Sequence, residues 1–287
     1  YFLLKSMNSD IENTIRLLDA LKNPINPSHQ DALCSLTQNS SNPDFILALF
    51  HVFARDSTCS LDIRQLAGLT IKNYAYPHFM NLNQDSLNNI KMEMISSLQC
   101  DNDSIRRTGA TLISRLSEAF PGELWYDIIP HIIMILEQDT TNQNYIQSDG
   151  AMQAILQICE DASEKLFMSS KTDTNTFIKQ PIEMLLPTLL KSFRSNHESI
   201  RCRALQSINK LLYMLPSDDD TNTNNSIGVL LTHMPYFIEG LSILSSDASV
   251  SVQTAVCVGV NELASRRISL LSSIIGGICD FMTNAVG

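Results

Sequence analysis

The sequence predicts an all-α chain folded as a right-handed helical solenoid of about six antiparallel helix pairs plus part of a seventh. Three observations predict it. One short helical pattern returns at intervals of 41 to 54 residues, a proline-bearing helical pattern precedes it, and long alternating runs and Asn-Gly hairpins are missing.

The returning pattern is "IRQLAGLTI" from Ile63, "IRRTGATLI" from Ile105, "IQSDGAMQAI" from Ile146, "IRCRALQSI" from Ile200 and "VSVQTAVCV" from Val250, with starts 42, 41, 54 and 50 positions apart. Each has a branched aliphatic residue, a mostly polar neighbour and, four positions on, a small residue: Ala67, Gly109, Gly150, Ala204 or Thr254. A small residue at that place suits a helix lying close against another. Cap-type residues precede or open several of these helices: Ser60, Asp101 to Ser104, Ser148 with Asp149, and Ser195 to Ser199. In the first helix Ile63, Leu66, Ala67, Thr70, Ile71 and Tyr74 form one packing stripe. Gln65, Gly68, Lys72 and Asn73 fall away from it, which leaves that side free to bind.

The partner helices are "LWYDIIPHIIMIL" at 124 to 136, "PIEMLLPTLLKSF" at 181 to 193 and, more weakly, "HMPYFIEGLSIL" at 233 to 244. The first two align through Ile128-Ile129-Pro130 and Leu185-Leu186-Pro187. A proline inside a helix costs about 3 kcal/mol, so its return at equivalent places predicts a kink that bends an outer helix around a stack. Helix, turn, helix is the unit of a HEAT-type solenoid, in which no pair buries its apolar face alone. Residues 1–287 read as one such array, interrupted by polar insertions at about 167–180 and 215–227 that are expected to be mobile loops. The acidic triplet Asp218 to Asp220 in the second insertion reads as solvated.

A net charge of −10 argues against general binding to phosphate backbones and points to a basic protein partner. Mean hydropathy near zero reads as soluble, and the longest apolar run, at 270 to 282, is too short for a membrane span. Seven widely spaced cysteines without a C-x-x-C motif suggest neither a disulfide frame nor a zinc site, and are expected mostly as small core residues in a reducing compartment. The chain opens without Met and stops inside a helical pattern, as a piece of a longer protein would.

Six scattered histidines make no metal motif, and neither a phosphate-binding glycine loop nor a nucleophile elbow is present. A binding protein, not an enzyme, is expected, with no cofactor. His78 is expected to cap and pack, and Trp125 to anchor a core.

The blocks "PDFILALFHVF", "IRQLAGLTIKNYAYPHF", "GELWYDIIPHIIMIL" and "GAMQAILQICEDASEKL", in this order from about residue 10 onward, resemble the N-terminal repeats of the importin-β superfamily of nuclear transport receptors, closest to its transportin (karyopherin-β2) branch. "QICEDASE" at 157 to 164 is the most specific piece, and the importin-β N-terminal type region would span about 10–80. The insertion at 215–227 departs from the family pattern. The resemblance implies cytoplasmic and nuclear residence with shuttling through the pore, and three kinds of partner. These are GTP-bound Ran, held on the inner helices to control cargo release; FG-repeat nucleoporins, held in apolar gaps between outer helices; and cargo with nuclear localisation signals, bound mostly elsewhere in such receptors.

Lys72 and Asn73 match the family's Lys-Asn at the end of the second inner helix and become Ran-binding candidates. Asp149, Gln153, Gln157 and Glu160 form a polar stripe at helical spacing, opposite Ala151, Ala154, Ile155, Ile158 and Ala162, with Asp161 adjoining. An acidic stripe suits a basic partner; a plain solvated helix face is the alternative. The resemblance makes Asp149, Gln153, Glu160 and Asp161 further Ran-binding candidates. The rival for the whole chain is a HEAT scaffold that organises an enzyme complex without Ran.

Overall fold

The computed structural model describes residues 2–25, 27–55, 58–119, 128–142, 145–168, 180–215, 225–271 and 276. Among them no strand occurs, and the helices fall into two compact units, Tyr1–Ile113 and Ser114–Gly287. The fold is an all-α helical solenoid; residues 169–179 of the insertion at 167–180 and 216–224 of that at 215–227, with Asp218 to Asp220, and also Trp125 and Cys279, lie outside the described residues.

The first unit holds α1 (Phe2–Lys22), α2 (His29–Asn39), α3 (Pro43–Ala54), α4 (Leu61–Thr70), α5 (Gln84–Leu98) and the start of α6 (Asp103–Ala119). Its centre is α3, which packs on α1, α4 and α5. Pro43 sits in the first turn of α3, where no backbone donor is needed, and the Asn42 side chain accepts the Asp44 N–H at 3.0 Å. The rest of α3 is apolar on nearly every side, and Phe45, Ile46, Ala48, Leu49, Phe50, Val52 and Phe53 are all buried. Burial of each large side chain contributes about 1.5–3 kcal/mol. The Phe50 ring meets Phe79 at 5.6 Å.

The second unit holds α7 (Ile128–Asn142), α8 (Tyr145–Asp161), α9 (Ser163–Leu166), α10 (Pro181–Ser192), α11 (Glu198–Leu212), α12 (Asn225–Leu244), α13 (Val250–Arg266) and α14 (Ile268–Leu271). Two layers result. The first helices of the pairs pack α7 to α10 to α12, and the second helices pack α8 to α11 to α13. The aligned proline helices bury the same positions: Ile128, Ile129 and Ile132 match Leu185, Leu186 and Leu189, while Pro130 and Pro187 stay exposed. Pro187 and Pro235 lie inside α10 and α12 with exposed rings, so the carbonyls they leave unpaired are on the wet side, where a helix bends most readily.

The structure corrects three details. Val250 is 75% exposed and Thr254 is exposed too; the packed face of α13 begins at Val252, two positions later than the repeat spacing suggested. Ser148 and Asp149 do not cap α8, which already begins at Tyr145; they are buried inside it. Among the described cysteines only Cys159 is buried; Cys34 is exposed and Cys59, Cys100, Cys202 and Cys257 are half-buried. The repeat pattern was too coarse to separate a helix's buried face from its flank. No described helix is long and apolar enough to cross a membrane.

Candidate functional site

Lys72 and Asn73 owe their position to Pro77. Lacking an N–H, and with a ring that would strike the carbonyl four residues back, Pro77 cannot continue α4. The chain widens first into a π turn, Ile71–Ala75, in which the Tyr76 N–H reaches back to the Ile71 carbonyl, and then tightens into a 3₁₀ helix, Tyr76–Asn81. Wider turns rotate less per residue. Ala75 therefore comes under Ile71 in the core, while Lys72, Asn73 and Tyr74 point outward, with Tyr74 39% exposed. Tyr74 thus leaves the packing stripe on which helical spacing placed it. Gly68, placed on the free side, is buried, and a methyl there would lie 2.9 Å from the Phe53 ring and 2.8 Å from Thr108. His78 is half-buried, its ring 3.5 Å from the Ser40 hydroxyl.

In the second unit α8 carries Asp149, Gln153, Glu160 and Asp161 on one side, but they are not equivalent. Asp149 is only 6% exposed, and its carboxylate accepts from Arg203 of α11. Gln153 is half-buried, with an Oε1 that has no hydrogen-bond partner among the described residues. Glu160 is exposed and pairs with Lys210 at 3.1 Å, and Asp161 accepts from Gln157 at 2.8 Å and lies 3.0 Å from the Ser114 hydroxyl. The part of the stripe that a partner can reach is therefore Gln153, Gln157, Glu160 and Asp161. Lys72 and Asn73 belong to the other unit, and Lys72 has no carboxylate partner among the described residues.

Sequence reasoning missed the neighbours on α11 and α13. Tyr213, 51% exposed, donates its hydroxyl to Glu262 at 2.9 Å, which pushes the phenol above its ordinary range, and the Arg266 guanidinium lies 4.9 Å above the ring. Tyr213 and Glu262 are 49 positions apart, close to the repeat length, which was the available signal.

The arginines of the repeat motif were also missed. Arg64 donates to the Phe53 and Ala54 carbonyls at the end of α3, Arg106 to those of Cys100 and Asp101 after α5, and Arg201 to that of Ser195 after α10. Gln253 does the same for Asp247 after α12. Each serves carbonyls that a helix end leaves without partners. The residue after each aliphatic start was read only as polar.

Between α10 and α12 runs a groove of about 410 Å³, lined by Leu190, Phe193, Tyr236, Gly240 and Ile243 and rimmed by Lys191 and Arg194. No group of three or more His, Cys, Asp or Glu side chains among the described residues is placed to hold a metal.

Residues 32–99 match the family model described as the importin-beta N-terminal domain. Among curated proteins, Transportin-1 of Oryza sativa subsp. japonica is 30% identical over 83% of this chain and 24% of its own length, and Transportin-1 of Mus musculus 24% identical over 95% and 28%. The chain thus spans about a quarter of the length of these relatives. Among solved structures, yeast importin-beta (Kap95p) superposes with a TM-score of 0.70 at 15% identity, over 93% of this chain and 30% of that one. Kap95 in its complex with Nup1 gives 0.68, over 93% and 30%, and with RanGDP 0.69, over 96% and 30%, both at 16% identity. At these identities the structures speak for the fold alone.

Proposed function

The chain belongs to the importin-β family, close to transportin over the stretch it spans, and from that premise we propose that it works as part of a nuclear import receptor. It binds GTP-bound Ran on the second helices of its pairs, this binding controls cargo release, and the receptor shuttles between cytoplasm and nucleus. The observation that carries the proposal is the relatedness to transportins of rice and mouse along 83% and 95% of the chain.

Geometry supports Lys72 and Asn73 in the first unit, and Gln153, Glu160 and Asp161 in the second, as the groups that touch Ran. They are exposed or half-exposed and sit just past α4 in the first unit and on α8 in the second. Asp149 acts from inside, by fixing Arg203. The apolar groove between α10 and α12 suits phenylalanine side chains of FG-repeat nucleoporins, since Phe193, Tyr236 and Ile243 offer it an aromatic and aliphatic wall. Cargo with nuclear localisation signals binds mostly through parts of the receptor outside this chain.

The test is binding of the chain to Ran loaded with a non-hydrolysable GTP analogue and with GDP. The proposal expects clear preference for the GTP form. Equal affinity for the two forms would remove its regulatory half.

A further inference from the structure

Within the second unit, a cleft of about 820 Å³ opens among α7, α8, α10 and α11, with Glu137, Ser148, Thr188, Lys191, Arg194 and His197 in its walls. Its chemistry differs from the rest of a chain whose net charge is −10. Lys191 and Arg194 are exposed and have no carboxylate partner among the described residues. Ser148 is only 3% exposed, yet its hydroxyl in the cleft wall has no hydrogen-bond partner among the described residues. The helix α11 begins here without a side-chain cap, because its N-cap, His197, stacks instead on Tyr145 at 4.4 Å. First-turn amides without a cap favour an anion. Glu137 in the wall, the exposed Glu198 in the first turn of α11 and the exposed Glu239 in the adjoining groove are the opposing charges.

These donors outnumber what a carboxylate's two oxygens can use: an ammonium, a guanidinium fork, a hydroxyl and backbone amides. A phosphate monoester, with three free oxygens and close to two charges, matches them better. Lys191 and Arg194 also rim the apolar groove on the other side of α10. An extended peptide of three residues spans about 10 Å, enough to cross one helix. We propose that this cleft binds a phosphoserine or phosphothreonine of an extended partner peptide, whose apolar side chain three residues on enters the groove between α10 and α12.

The site goes beyond the transport reading and does not depend on Ran. It is tested by fluorescence anisotropy of the full chain with a labelled Gly-Ser-Gly-Ser-Gly-Gly-Phe-Gly peptide, with and without phosphate on its second serine. The phosphopeptide should bind at least ten-fold more tightly. Lys191→Ala with Arg194→Ala should erase that preference, Ser148→Ala should reduce it, and Tyr236→Ala should weaken both peptides alike, all with unchanged helical circular dichroism. Lys191→Gln with Arg194→Gln serves if the alanine pair loses helix. Equal affinity for the two peptides, or a preference that survives the charge-removing pair, overturns the site. Inorganic phosphate that competes as well as the peptide itself overturns peptide recognition.

Discussion

Arg201 of α11 grips Asp247, just beyond α12, through two parallel bonds, Nε to Oδ2 at 2.7 Å and Nη2 to Oδ1 at 2.8 Å. Its remaining nitrogen donates to the Ser195 carbonyl at 2.8 Å, so one side chain ties the turn of its own helix pair to the turn of the next. Asp247 is occupied as well, since Oδ1 accepts the Ser249 N–H at 2.9 Å ahead of α13. Both partners are largely buried, with side-chain exposures of 16% and 8%. Removing one therefore strands the other away from water.

Asp247→Ala is expected to destabilise the second unit by about 2–3 kcal/mol, between the value of a surface pair and that of a fully buried one. Urea unfolding followed by circular dichroism measures it. Arg201→Lys keeps the charge but loses the fork, and should lose much of the same stability. A loss below about 0.5 kcal/mol for either would contradict this role.

The Arg201 hydrogen bonds hold the Asp247 carboxyl below the usual carboxylate range. A carboxyl lowered by folding adds stability that is complete above its unfolded value of about 3.9 and is lost as pH falls toward the folded value. Stability should therefore drop below about pH 4, and Asp247→Asn should flatten this part of the profile. An unchanged acid limb in that variant would show that other groups carry it.

Two glycines of α12 should respond in opposite ways. A methyl on Gly240 would lie 2.5 Å from the buried Phe193 ring, whereas nothing among the described residues stands within 4 Å of one on Gly228. Gly240→Ala should destabilise by about 1–3 kcal/mol through overpacking, and Gly228→Ala should stabilise by up to about 1 kcal/mol through helix propensity. Thermal melts of the two variants decide it. Stabilisation by both would mean that the ring of Phe193 can move aside.

Cysteine reactivity should follow burial, not spacing. Burial, and after it the charge of Glu160, pushes the Cys159 thiol well above its ordinary range, so it forms little thiolate in the folded chain. A thiol reagent should label the exposed Cys34 quickly and Cys159 only when the chain unfolds, as read by mass spectrometry of digests. Labelling of Cys159 at the rate of Cys34 would contradict the packing of α8.

The helix pairs were legible because burial repeats with them. Ile63, Ile105 and Ile200 open packed faces at the expected places, and the two proline helices bury matching positions. What was not legible depends on tertiary context. The π turn before Pro77 rotates Tyr74 out of the stripe, a result of one ring against one carbonyl that periodicity does not register. Asp149 looks like a surface carboxylate until Arg203, 54 positions away, closes over it. Val250 fits the repeat by spacing, but the first buried residue of α13 is Val252, and Gln253 stands where three other repeats have Arg64, Arg106 and Arg201. Of the candidate site, Lys72 and Asn73 in the first unit and Gln153, Glu160 and Asp161 in the second are reachable by a partner, and Lys210, which pairs with Glu160, became visible only in the packed helices of the second unit.

The most direct test of the central claim is calorimetric titration of Ran, loaded with a non-hydrolysable GTP analogue or with GDP, into the chain and into two single variants, Lys72→Glu and Glu160→Lys. Both positions are exposed, so the fold should persist with its helical signal intact. The account predicts tighter binding of the GTP form by at least ten-fold, with each charge reversal reducing that affinity several-fold. Binding of both nucleotide forms with equal strength, or GTP-selective binding that neither reversal weakens, would contradict it.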